Sequence, residues 1–172
     1  MSNHIDTCED DRCLTMSLIM MPDKANFSGH VHGGYLMQLL DQVAYACAAR
    51  YAGAYVVTLS ADQILFKNPI MVGDMLHFYA TVNYVGSSSM EIGIKVIAEN
   101  LKSKERRHTN TCYFTMVALG ENNKPTKVKP LELSTDLQRY RYKEAERRKK
   151  MRLEAQECHR QNKKQVRENG DN

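Results

Sequence analysis

Apolar and polar positions alternate along the chain in a way that separates six structured runs from a charged tail. Residues 14–21 (LTMSLIMM) are apolar and end at Pro22 and Asp23, which predicts a first strand. A polar, turn-rich loop then runs to His32. Residues 33–51 are rich in Leu, Ala, Met and Gln and predict a helix, with Gly53 placed to cap its C-terminus. At about 100° per residue, Leu36, Leu39, Leu40, Val43, Ala44 and Cys47 fill a broad apolar side of that helix. Gln38, Asp41, Gln42, Tyr45 and Ala49 share a narrower sector opposite.

The rest of the body reads as strands. Residues 55–67 (YVVTLSADQILFK) are β-branched and aromatic. Pro69 and Gly73-Asp74 mark a turn, residues 75–85 a second strand of this group, and Gly86 to Ser88 another turn. Residues 90–100 alternate, with Ile92, Ile94, Val96 and Ala98 on one face. Residues 101–106 form a charged hairpin tip and 108–119 the last long strand. One helix within a β-α-β-β-β-β order predicts an α+β fold, an antiparallel meander wrapped around a long central helix. Residues 1–13 are polar and expected to be disordered. Residues 14–133 form the domain, and 134–172 a helical or frayed tail whose few apolar anchors are Leu137, Met151, Leu153 and Val166.

Composition adjusts this picture in two places. The 172 residues carry a net charge of +4, but residues 139–172 hold 12 Lys and Arg against 6 Asp and Glu. The body is therefore near neutral and the tail basic. The tail's interspersed Glu residues and its lack of a recognition motif argue against nucleic-acid binding. The five cysteines have no C-x-x-C spacing, so neither a disulfide framework nor a zinc knuckle is suggested. Cys47 and Cys112 lie in apolar runs and read as core residues. The N-terminus does not resemble a signal peptide, and no apolar run has the length of a membrane span. A cytoplasmic setting is expected.

Candidate chemistry concentrates in residues 21–41, MPDKANFSGHVHGGYLMQLLD. Gly33-Gly34 opens the helix against free space, where unpaired N–H groups and the positive dipole end can hold an oxyanion. Asp41 is either a surface carboxylate or one that faces a cleft or a subunit interface. It lies eight residues after Gly33, about 12 Å along a helix. A carbonyl held at the helix N-terminus is out of reach of that carboxylate, but within reach of one from a neighbouring subunit. This predicts a site shared across a dimer. His30 and His32 form an H-x-H without an obvious third ligand, so no metal is expected. Asp62 reads as a structural acid or as a group behind the cleft. Lys102, Lys104, Arg106 and Arg107 read as a solvated hairpin edge or as contacts for phosphate.

Three segments together, MPDKANFSGHVHGGYLMQLLDQVAYACA, VVTLSADQILFKNPIMVGD and VNYVGSSSMEIGI, resemble the hotdog-fold acyl-CoA thioesterases of the YciA/BACH (cytosolic acyl-CoA hydrolase) type. The resemblance spans residues 17–131. It implies hydrolysis of acyl-CoA to a free acid and CoA, with no cofactor beyond the CoA of the substrate. It implies catalytic roles for Asn26 and Asp41 and an oxyanion-binding N–H at Gly33. His32, Gly34, Ser88 and Ser89 become candidates for contact with substrate. It also implies Asn and Asp from different subunits of a homodimer, with assembly into hexamers as trimers of dimers. A hotdog protein that binds acyl-CoA without turnover is the alternative. A hydratase or dehydratase on this fold would carry a different helix motif.

Overall fold

The computed structural model describes residues 10–170, with the side chains of residue 164 and residues 166–170 excepted. The chain divides into two compact units, Met1–Leu131 and Glu132–Asn172. In the first, β1 (Cys13–Ile19), α1 (Gly33–Ala52), β2 (Tyr55–Ala61), β3 (Met75–Val85), β4 (Ser89–Glu99) and β5 (Arg106–Leu119) follow in order. All strand pairs are antiparallel, in the order β1-β3-β4-β5-β2. The sheet lays its apolar rows (Leu76, Phe78, Ala80; Ile92, Ile94, Val96; Cys112, Phe114, Met116) against α1, which buries Leu36, Leu39, Leu40, Val43, Ala44, Cys47, Ala48 and Tyr51. Five strands around one long helix are the hotdog architecture expected from the sequence.

Several details depart from expectation. The expected meander has β2 next to β3, but β2 instead pairs with β5 at the far edge. The β2–β3 connection, residues 62–74, is far longer than a hairpin turn and crosses the sheet. β2 is also shorter than the 55–67 run. A register shift between Thr58 and Ser60 disturbs the ladder. Beyond Ala61 the chain follows β5 through isolated bonds, Asp62 N–H to Tyr113 O (2.9 Å) and Lys67 N–H to Thr109 O (3.1 Å). Asp62 is half-buried there. The expected disorder over residues 1–13 falls mostly on residues 1–9, outside the described residues, whereas Cys13 already belongs to β1.

Cys47 and Cys112 are free, and burial pushes both thiols up to about 12, so they are inert core residues. Arg106 is tied to Glu99 (2.8 Å) and Arg107 to Asp74 (2.7 Å), so two of the four hairpin cations serve the fold.

Asp74 matters to the site. It is 1% exposed, and its Oδ2 accepts from Arg107 and from the Met71 N–H (3.0 Å). Residues 70 and 71 in turn bridge to Val31 and His30, in the loop before α1. Asp74→Ala leaves the Arg107 guanidinium without its carboxylate. It should lower unfolding stability by about 3–5 kcal/mol, read by denaturant titration. A loss within 1 kcal/mol would mean that water replaces the carboxylate at no cost.

The second unit contains α2 (Asp136–Gly170). Thr135 and Gln138 form a capping box: Thr135 Oγ1 accepts from Gln138 N–H (3.2 Å), and Gln138 Oε1 accepts from the Thr135 and Ser134 N–H groups. Pairs such as Arg139–Asp136, Lys150–Glu154 and Arg160–Glu157 run along the helix. They account for a long helix with few apolar residues. Leu137, Met151 and Leu153, expected as anchors, are exposed, and the Val166 side chain lies outside those described. No helix among the described residues is long and apolar enough to cross a membrane.

Candidate active site

The loop before α1 is built around Asn26. Its Oδ1 accepts from the N–H groups of Ser28 (2.9 Å) and His30 (3.1 Å). Its own N–H donates to His30 O (2.6 Å), and Gly29, at φ 76°, donates to Asn26 O (3.0 Å). This side-chain-to-backbone turn is why an Asn stands there. It also assigns the carboxamide, because a flipped amide would set its NH2 against two N–H donors. The oxygen is therefore used within the loop. Among the described residues nothing accepts from Nδ2, so Asn26 offers a substrate a donor only.

His32 caps α1, its Nδ1 accepting from Gly34 N–H at 2.9 Å. Accepting at Nδ1 keeps the ring proton on Nε2. Tyr35 and Leu36 N–H donate to His32 O (3.0 and 3.1 Å). The first turn of α1 is thus satisfied except at Gly33, whose N–H has no acceptor among the described residues. A Cβ on Gly34 would lie 3.1 Å from His32 Nδ1, so the second Gly makes room for the cap. His32 and Gly34, candidates for substrate contact, are thereby engaged in holding the Gly33 peptide. No group of three or more His, Cys, Asp or Glu among the described residues is placed to hold a metal ion.

Asp41 is exposed, and the Thr58 hydroxyl donates to its Oδ1 at 2.6 Å. Thr58 is absent from the sequence-derived candidates. Its signal was present in period 2: Thr58 falls on the same face of β2 as buried Val56, where an apolar residue is expected. Thr58 is itself exposed, so burial does not force the pairing, and the helix supplies a carboxylate within reach of the hydroxyl. Thr58→Val keeps the shape and removes the donor. It should slow the reaction by roughly 10- to 100-fold, the kinetic equivalent of one hydrogen bond to a charged group, in a steady-state assay.

Ser89 is not brought to this face, and Ser88 lies in the turn before β4. Met90, Met116 and Thr58 share a row across β4, β5 and β2, whereas Ser89, Val117 and Val57 form the next row, on the opposite side of the sheet. The Ser88 carbonyl accepts from Ala118 N–H (2.9 Å). Asn26, His32 and Gly33 lie at the start of α1, and Asp41 with Thr58 lies over two turns further along it. One chain therefore holds these groups as two separate clusters.

Fold and site together define a hotdog protein with an unpaired N–H at the start of its central helix and a carboxylate hydrogen-bonded to Thr58. Residues 28–104 match the thioesterase superfamily model. The chain is 51% identical over 154 residues to Protein VdlD of Helicobacter pylori strain 26695, covering 88% of each. It is also similar to an acyl-CoA hydrolase from Staphylococcus aureus solved with butyryl-CoA, CoA and CoA disulfide (32% identity, 86% of this chain and 93% of that one, TM-score 0.76). Three further structures of that enzyme are variants in which an Asn, an Asp or a Thr is replaced by Ala. A hexameric acyl-CoA thioesterase matches with 32% identity over 83% of this chain and 92% of that one, TM-score 0.80. The chain belongs to the thioesterase superfamily.

Proposed function

We propose that this protein is an acyl-CoA thioesterase, hydrolysing acyl-CoA to a carboxylic acid and CoA, with its active unit a homodimer. One observation carries the assignment of residues. Asn26, Asp41 and Thr58 are separated by 15 and 17 positions, and the Asn, Asp and Thr replaced in the S. aureus variants have the same spacings. The hexameric relative supports a homo-oligomer, and a trimer of dimers is the larger assembly that this reading expects.

In this mechanism the thioester oxygen accepts from Gly33 N–H, where negative charge develops as the carbonyl carbon becomes tetrahedral. Asn26 Nδ2 donates to the substrate or to the attacking water. Asp41 comes from the second copy, held by its own Thr58. It either takes a proton from water or attacks the carbonyl carbon to give a mixed anhydride that water then opens. The C–S bond breaks, and the thiolate leaves and takes up a proton. A thiolate is a good leaving group, so no strong general acid is required.

The test is release of free CoA thiol from short, medium and long acyl-CoAs by the full-length protein. Release that depends on protein concentration is expected. Tight binding of acyl-CoA with no release at any chain length would sink the enzyme reading and leave a binding protein.

A further inference from the structure

Phe66 stands beside the free N–H. A Cβ placed on Gly33 would lie 3.9 Å from Phe66 Cε2 and 4.0 Å from Cζ, so the ring edge is one van der Waals layer from that residue. The two residues after it are pinned to β5, Lys67 through its N–H to Thr109 O (3.1 Å) and Asn68 through Nδ2 to His108 O (2.8 Å). The chain that carries the ring is therefore anchored, and the ring is 52% exposed. A large apolar side chain, half open beside a residue with an unused donor, is suited to an apolar ligand. The pantetheine arm of CoA carries amides that need hydrogen-bond partners, which a phenyl ring does not provide. The first methylenes of an acyl chain need none.

We propose that Phe66 is a specificity-determining residue: its ring edge packs against the C2–C3 segment of the bound acyl chain and excludes branching at C2. The proposal rests on the reading that Gly33 N–H holds the thioester oxygen. C2 is the carbon bonded to the carbonyl, so it lies close to that donor. A methyl branch there requires space that the ring occupies. Straight-chain acyl-CoAs are therefore the substrate class, and 2-methyl-branched ones are discriminated against.

The experiment compares kcat/KM for butyryl-CoA and isobutyryl-CoA in the wild type, Phe66→Ala, Phe66→Leu and Phe66→Tyr, with oligomer mass measured by light scattering. The wild type should favour butyryl-CoA. Phe66→Ala should raise the isobutyryl-to-butyryl ratio by about tenfold or more, within the 10- to 200-fold that one methylene is worth in an apolar pocket. Phe66→Leu should fall between, and decides the matter if the alanine variant does not fold. Phe66→Tyr keeps the ring edge and should keep the wild-type ratio. A ratio unchanged within twofold in the alanine and leucine variants overturns the proposal. So does dissociation of the oligomer with equal loss on both substrates, which makes Phe66 an interface residue. Where the wild type acts only on longer chains, a straight-chain and a 2-methyl acyl-CoA of that length replace the pair, and no release at any chain length contradicts the thioesterase reading instead, so the two failures are distinguishable.

Discussion

Gly33→Pro should fold normally and lose about 10²- to 10³-fold in kcat, the usual effect of deleting one oxyanion donor. The substitution is unusually clean at this position. Gly33 is the first residue of α1, where proline is favoured because its missing N–H takes part in no helical bond. The residue before a proline must be extended, and His32 already is, at φ −65° and ψ 129°. The added Cβ meets Phe66 at ordinary contact distance, 3.9 and 4.0 Å. What disappears is the one first-turn N–H that no group among the described residues accepts. The readouts are kcat on a medium-chain acyl-CoA and thermal unfolding. An unchanged Tm with kcat within threefold of wild type would show that the thioester oxygen is held elsewhere.

Asp41→Asn should lower kcat by about 10²- to 10⁴-fold, the range for losing a general base, and by as much for losing a nucleophile. The amide oxygen still accepts from Thr58, so orientation survives and only the charge goes. Single turnover of the wild type in oxygen-18 water separates the two routes. Direct attack deposits label in the Asp41 carboxylate, and base catalysis labels only the acid product. Combining the two variants tests the division of the site. Co-expressed Gly33→Pro and Asp41→Asn chains pair an intact Gly33 with an intact Asp41 across the dimer. They should recover activity that neither variant has alone. No recovery in a verified mixed oligomer would return both groups to one chain.

Much of this was legible from local chemistry. The helix boundaries followed from Gly33-Gly34 and Gly53, because backbone freedom at a cap is a property of one residue. The apolar side of α1 followed from spacing, and all six residues assigned to it are buried. Less legible was anything that joins residues far apart in the chain. The T-x-x-Q box before α2 is a local signal that was overlooked, whereas the β2–β5 pairing is not local at all. Strand order depends on where a 13-residue connection, 62–74, takes the chain, and no residue in it declares that.

The division of the candidate site follows the same line. By itself the sequence singled out Gly33 and Asp41, with Asn26 added by the family resemblance, and determined that helical rise keeps Gly33 and Asp41 about 12 Å apart. Spacing along one continuous helix is a local quantity, and no tertiary contact can change it. Only the tertiary structure decided which atoms remain for chemistry. It used the Asn26 side-chain oxygen and the Gly34 N–H locally, left Asn26 Nδ2 and the Gly33 N–H without acceptors among the described residues, and brought Thr58 to Asp41 across 17 residues. Hydrogen-bond capacity is allotted among neighbours in space, and those neighbours exist only once the sheet has closed around the helix.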